Sequence, residues 1–149
     1  MIFLKTDEEI EIIRESGDLL GRLHAELSKL IQPGVTTIKL DQYAEEFIRD
    51  HGAYPSFKGY KVKGHKKGFP CSLCISVNEQ VVHGVAGDSE LKEGDIVSVD
   101  CGISLNDFHS DCAYTYPIGT VSDEVARLLQ VTEGSLYLGI DAALPGNRV

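Results

Sequence analysis

Apolar side chains recur every three or four positions in two stretches of the first fifty residues, the period of an amphipathic helix. The first stretch begins behind Thr6-Asp7-Glu8-Glu9, a capping-box sequence with acidic residues in its first turn. It predicts a helix to about Ile31, and Pro33-Gly34 ends it. The second stretch predicts a helix from about Ile38 to Asp50. The apolar positions are Ile10, Ile13, Leu19, Leu20, Leu23, Leu27 and Leu30 in the first, and Leu40, Tyr43, Ala44 and Phe47 in the second.

The rest of the chain changes period. Residues 53–70 carry Gly, Pro and Lys without a clear pattern, which predicts an irregular loop. Three strands are predicted next and then a helix capped by Ser122, giving an α-α-β-β-β-α order with antiparallel strands, which is the α+β class. At 149 residues the chain is long enough for one domain and too short to expect two. The strands are predicted at 72–77, 95–104 and 108–117, and the helix at 123–144.

Two aspartates stand in one apolar stretch, VSVDCGISLNDFHSDCAYTYPIG, residues 97–119. Asn106-Asp107 suits a tight turn between two strands. A turn there, or one residue earlier, places Asp100 and Asp111 on the same face of the hairpin, opposite each other or one diagonal step apart. Two carboxylates that close repel, so the physical options are a shared proton, a basic partner or a metal ion. From the hairpin alone it also stays open that one of them is simply exposed near the strand end.

Composition and charge narrow the class of protein. The hydrophobic share of 42% and charged share of 25% are ordinary for a soluble globular domain. With 14 Lys and Arg against 23 Asp and Glu, the net charge of −9 argues against a nucleic-acid or anionic-membrane partner. The basic cluster KVKGHKKG, residues 61–68, reads as a solvated loop. No secretory signal and no membrane span is predicted, and four cysteines without a signal favour reduced thiols, so a cytoplasmic location is expected.

The segment upstream of the hairpin adds a histidine. SVNEQVVHGV, followed by LKEGDIVSVDCGISLNDFHSDCAYTYPIG, resembles the type I methionine aminopeptidases, metalloenzymes that remove the initiator methionine. The resemblance implies that His83 is a catalytic residue contacting substrate, that Asp100 binds one metal of a pair and that Asp111 bridges both. It implies two divalent ions, Co, Mn, Fe or Zn, and as substrates peptides or nascent proteins with an N-terminal methionine.

The resemblance covers essentially the whole chain, including the segments YPSFKGY and GFPCSLCISVNE. These imply a pocket for the methionine side chain lined by Phe57, Tyr60, Phe69 and Cys74, since a thioether prefers apolar, aromatic and sulfur-bearing neighbours. The implied fold is the N-terminal half of the two-lobed pita-bread architecture, an antiparallel curved sheet with helices on one face.

The family's second half supplies the other metal ligands, and the sequence stops at DAALPGNRV, where that half would begin. We therefore expect residues 1–149 to be a truncated domain. It should be inactive alone and prone to self-association through an unpaired sheet edge. His109, Glu124 and Glu133 stand in no motif of the family and are not substituted for the missing ligands.

Two alternatives come from other classes of protein. One is a non-catalytic binding protein with the pita-bread fold, although such a scaffold has no need to keep His83, Asp100 and Asp111 together. The other is a small zinc-binding module that uses the four cysteines. Two of these directly follow the aspartates, so on alternating strands they would point away from the aspartate face. The cysteines are Cys71, Cys74, Cys101 and Cys112.

Overall fold

The computed structural model describes residues 3–61, 63–64 and 67–148, and its elements follow the predicted order. Each predicted helix and strand is present, with ends within two residues of the predicted ones. One short strand was not predicted. The elements are α1 (Asp7–Leu30), α2 (Thr37–Asp50), β1 (Tyr54–Pro55), β2 (Leu73–Val77), β3 (Ile96–Leu105), β4 (Phe108–Pro117) and α3 (Asp123–Ala142).

A side-chain cap starts α1, and a buried carboxylate anchors α2 to β2. The predicted capping box is confirmed, because the Glu9 N–H donates to Thr6 Oγ1 at 3.2 Å and the Thr6 N–H donates to the Glu9 carboxylate at 2.9 Å. In α2 the buried Asp41 carboxylate accepts the N–H groups of Ser72 and Leu73, both at 2.8 Å. These two bonds fix the start of β2 against α2.

The long strand β3 lies inside an antiparallel sheet. Strands β2 and β1 pair along one edge of β3, and β4 pairs along the other. The predicted turn between β3 and β4 is confirmed, because Asn106 and Asp107 have φ angles of 50° and 66°, the left-handed values of a two-residue hairpin turn. The prediction of an irregular loop over 53–70 is wrong at β1. Its two residues have no period to reveal them, and they pair with the far end of β3.

Both long helices pack against the same face of the sheet, α1 over β3 and β4, and α2 over β1 and β2. Between them lies a core of aliphatic side chains. Helix α3 buries none of its residues, and β4 pairs with β3 alone within the described part of the chain. No helix in residues 3–148, the few undescribed positions aside, is long and apolar enough to cross a membrane. The largest fully buried side chains are Leu20, Leu23, Leu27, Leu40, Ile48, Leu73, Ile75, Leu91, Val97, Val99, Ile103 and Ile118.

Candidate metal and substrate site

The hairpin register fixes the two aspartates on one face. Asp111 lies opposite Gly102 and Asp100 lies opposite Ala113, so the carboxylates are diagonal neighbours on the face that points away from the helices. A Cβ atom on Gly102 would lie 3.2 Å from Asp111 Oδ2 and 2.8 Å from the Phe57 ring. The glycine thus leaves the room that the Asp111 carboxylate and the Phe57 ring occupy.

Asp100 is in an environment that disfavours an unpaired charge. Its Oδ1 atom is buried and has no hydrogen-bond partner among the described residues. Burial is the larger cause, and Asp111 the smaller, of a raised pKa for the Asp100 carboxyl, which the nearby His83 partly offsets. A buried carboxylate oxygen without a donor, beside a second carboxylate, suits a divalent cation, which takes oxygen ligands.

His83 is placed by the glycine that follows it. The Ile75 N–H donates to the Gly84 carbonyl at 2.9 Å, and the Gly84 N–H donates to Ser76 Oγ at 3.1 Å, so this segment is bonded directly to β2. A Cβ atom on Gly84 would lie only 2.0 Å from the Ile75 carbonyl oxygen, which restricts the position to glycine. His83 itself has a φ of 59°, a left-handed conformation that is uncommon for a residue with a side chain.

The residues predicted from the sequence line a cavity of about 720 Å³. Cys74 forms part of its wall and is the register partner of Asp100 across β2 and β3. Burial, and next the Asp100 charge, raise the pKa of the Cys74 thiol to about 11, so this side chain is a neutral thiol at physiological pH. All seven residues predicted from the sequence line this cavity, namely Phe57, Tyr60, Phe69, Cys74, His83, Asp100 and Asp111.

Other residues of this cavity were not predicted from the sequence, and His109 and Ser56 are the most informative of them. His109 Nδ1 lies 2.9 Å from Ser56 Oγ, and both side chains line the wall. The alternation of side chains along a β-strand could have identified His109, because it stands two residues before Asp111 on β4 and therefore lies on the same face. Ser56 carried no such signal, since its partner is 53 residues away in sequence.

The cysteines do not form the zinc site of the alternative hypothesis. All four are free, and Cys101 lies opposite Cys112 on the core face, as predicted, away from the aspartates. Within the described residues no group of three or more His, Cys, Asp or Glu side chains is placed to hold a metal ion. Asp100 and Asp111 therefore offer a two-carboxylate site and not a complete coordination shell.

Known proteins resemble the chain over its whole length. It is 51% identical to methionine aminopeptidase 1 of Bacillus subtilis over 149 residues, covering 100% of this chain and 58% of that protein. The crystal structure of the Thermotoga maritima methionine aminopeptidase superposes with a TM-score of 0.88 at 34% identity, covering 97% of this chain and 55% of that one. The Pyrococcus horikoshii prolidase, 19% identical, shares the fold alone, with a TM-score of 0.78 over 96% of this chain and 38% of its own.

These similarities confirm the predicted α+β fold as one half of the pita-bread architecture. The chain spans slightly more than half the length of the curated relatives it matches, which agrees with that half. Residues 11–149 match the metallopeptidase family M24. This is a family of metal-dependent enzymes, which implies a divalent metal cofactor. The chain belongs to metallopeptidase family M24.

Proposed function

We propose that the chain carries the substrate-binding side and part of the metal site of an aminopeptidase that removes N-terminal methionine from peptides and nascent proteins. One observation carries the proposal. A buried carboxylate oxygen, which has no hydrogen-bond donor among the described residues, and a second carboxylate face a cavity. The walls of this cavity include three aromatic rings and a thiol, beside His83 and other polar side chains. The names of the similar bacterial proteins support the same activity.

Asp100 and Asp111 would hold the metal, with Asp100 on one ion and Asp111 between two. When bound, divalent ions supply Lewis-acid activation of the scissile carbonyl and of a water molecule. Cobalt, manganese, iron and zinc all suit such a site, since carboxylate ligands do not select strongly among them. The contribution of the chain is to hold both carboxylates on one rigid ladder, one diagonal step apart.

The substrate side of the site consists of His83 and the pocket. His83, fixed by Gly84 on β2, would donate a hydrogen bond to the substrate or to the developing oxyanion, which requires a donor held in place before the reaction. Phe57, Phe69 and Tyr60 with the neutral Cys74 thiol would enclose the methionine side chain. Aromatic and sulfur neighbours favour a thioether.

Two carboxylates leave most coordination positions of an ion to water. We therefore expect the 149-residue chain alone to bind divalent metal weakly and to show no measurable release of methionine. We also expect it to self-associate through the free edge of β4, to be located in the cytoplasm and to have no nucleic-acid or membrane partner.

A chimera tests the function. This chain would replace the aligned segment of the Bacillus subtilis methionine aminopeptidase, 58% of that protein, and release of methionine from a Met-Ala peptide would be measured with added Mn²⁺. We expect the chimera to be active and Asp111→Asn to abolish the activity. Asp107→Asn is the matched control, because it removes the same charge in the exposed turn, where asparagine accepts the left-handed backbone. A folded chimera without activity, or equal activity in both variants, would contradict the proposal.

A further inference from the structure

Asp111 lies between two residues that are hydrogen-bonded to α1. Ser110, immediately before it, has its Oγ 2.8 Å from Oγ of Ser16. Cys112, immediately after it, has its carbonyl oxygen 3.2 Å from Nε2 of His24. Because β4 pairs with only one strand among the described residues, these two bonds supplement the ladder on the strand that carries the carboxylate.

The bonding pattern assigns the tautomer of His24. The Cys112 carbonyl can only accept a hydrogen bond, so Nε2 carries the proton and donates it. Nδ1 is then an acceptor, and the Tyr116 hydroxyl, 3.1 Å from Nδ1 and 3.3 Å from the His24 carbonyl oxygen, donates between these two acceptors. The ring also lies against Tyr114, with 5.0 Å between the centroids. Burial lowers the pKa of His24, which keeps the imidazole neutral and this arrangement intact.

Ser16 and His24 are the two polar residues among the buried residues of α1, and the other four are leucines. Both side chains are buried, and a buried polar group costs free energy unless it is hydrogen-bonded. Ser16 and His24 each make a directional hydrogen bond, and both bonds are made to immediate neighbours of Asp111. The two polar residues of α1 are therefore bonded to the strand whose opposite face carries Asp111.

We infer that Ser16 and His24 are positioning residues, which hold β4 so that the Asp111 carboxylate stays at the geometry that metal binding needs. The inference rests on the proposed metal role of Asp111. Residues 110 and 112 face α1 while residue 111 faces the cavity, so two bonds to the flanking residues oppose any twist or slip of the strand between them. In a strand of period two, a slip by one residue would turn Asp111 into the core.

The test is the affinity of the 149-residue chain for Mn²⁺, from the free-ion electron paramagnetic resonance signal during a titration, with the melting temperature measured in parallel. Outer-sphere partners of metal sites are typically worth about 10–100-fold in affinity, and we expect the lower end, about tenfold, for His24→Leu. His24→Gln keeps an N–H donor near the position of Nε2 and should recover most of that loss. Ser16→Ala should weaken binding about threefold.

Thr37→Val is the matched control for stability. It removes a buried hydroxyl that bonds Gly87 far from β4, so it should lower the melting temperature with unchanged Mn²⁺ affinity. If His24→Leu does not fold, His24→Gln and Ser16→Ala decide. Two outcomes overturn the inference. In the first, Ser16→Ala binds Mn²⁺ with wild-type affinity, and His24→Gln and His24→Leu do not differ in affinity. In the second, every folded variant binds Mn²⁺ with wild-type affinity. Asp111→Asn separates the two proposals: if it binds Mn²⁺ like the wild type, the metal role of Asp111 fails, and the inference with it.

Discussion

Gly84→Ala should destabilise the chain and displace His83. The new methyl group would lie 2.0 Å from the Ile75 carbonyl oxygen and 2.7 Å from its carbon, and both are backbone atoms of β2. The segment must therefore move away from β2, which breaks the bond from the Ile75 N–H to the Gly84 carbonyl and the bond from the Gly84 N–H to Ser76 Oγ. Each buried group left without a partner costs about 1–3 kcal/mol, so we expect a loss of roughly 2–4 kcal/mol.

Urea unfolding followed by circular dichroism measures that loss, which is a large part of the typical stability of about 5–15 kcal/mol. Gly87→Ala is the matched control. A Cβ atom there meets nothing within 4 Å, and its φ is not in the left-handed region. This control should change the free energy of unfolding by less than about 1 kcal/mol, and in the stabilising direction. An equal effect of both substitutions would refute the view that the close approach to β2 holds His83 in place.

Other predictions concern ionisation and packing. Burial lowers the pKa of folded His24 below its ordinary 6.5, so the unfolded chain binds the proton first. The stability should be full above about pH 6.5 and should fall as the pH drops towards the folded pKa, with a weaker dependence in His24→Gln. With a pKa near 11 against 9.0 ordinarily, Cys74 should react with iodoacetamide at pH 8 roughly a hundredfold more slowly than glutathione, as measured by peptide mass spectrometry. Leu23→Ala, at a fully buried position, should lower the urea-unfolding free energy by about 2–5 kcal/mol.

The side of the site that comes from one hairpin could be predicted from the sequence. Alternation within a strand fixes which residues share a face, so the common face of Asp100 and Asp111 follows from local chemistry. The sequence left the turn at Asn106-Asp107 or one residue earlier, and the structure places it at Asn106-Asp107, which makes the two aspartates diagonal neighbours. Contacts between distant segments could not be predicted in this way. Ser56 lies next to His109 because the two-residue strand β1 pairs with the end of β3. The sequence of β1 is too short to show a strand period, so it does not predict this pairing.

The role of α1 shows the same limit. Helical period predicts that its leucines face the sheet, but period alone does not tell which strand a polar residue on that face will meet. In the sequence His24 is an isolated polar residue with no evident partner. Its contacts become known only in the structure, where its ring nitrogens are hydrogen-bonded to Cys112 and Tyr116. Local sequence thus predicted the common face of the two aspartates, and tertiary contacts revealed the hydrogen bonds from α1 to β4.

The free edge of β4 gives a final prediction. In a hairpin with a two-residue turn, alternate residues of each strand direct their N–H groups away from the partner strand, and counting from the Leu105–Phe108 pair places Ala113 in that outward set. Ala113→Pro therefore removes a donor of the edge without removing a bond of the ladder, as is typical of prolines in edge strands. In sedimentation velocity the wild-type chain should associate with rising concentration, whereas Ala113→Pro should stay monomeric. Ala113→Val, which keeps the N–H group, should associate like the wild type. Association that persists in the proline variant would show that another surface, such as the exposed apolar side chains of α3, makes the contact.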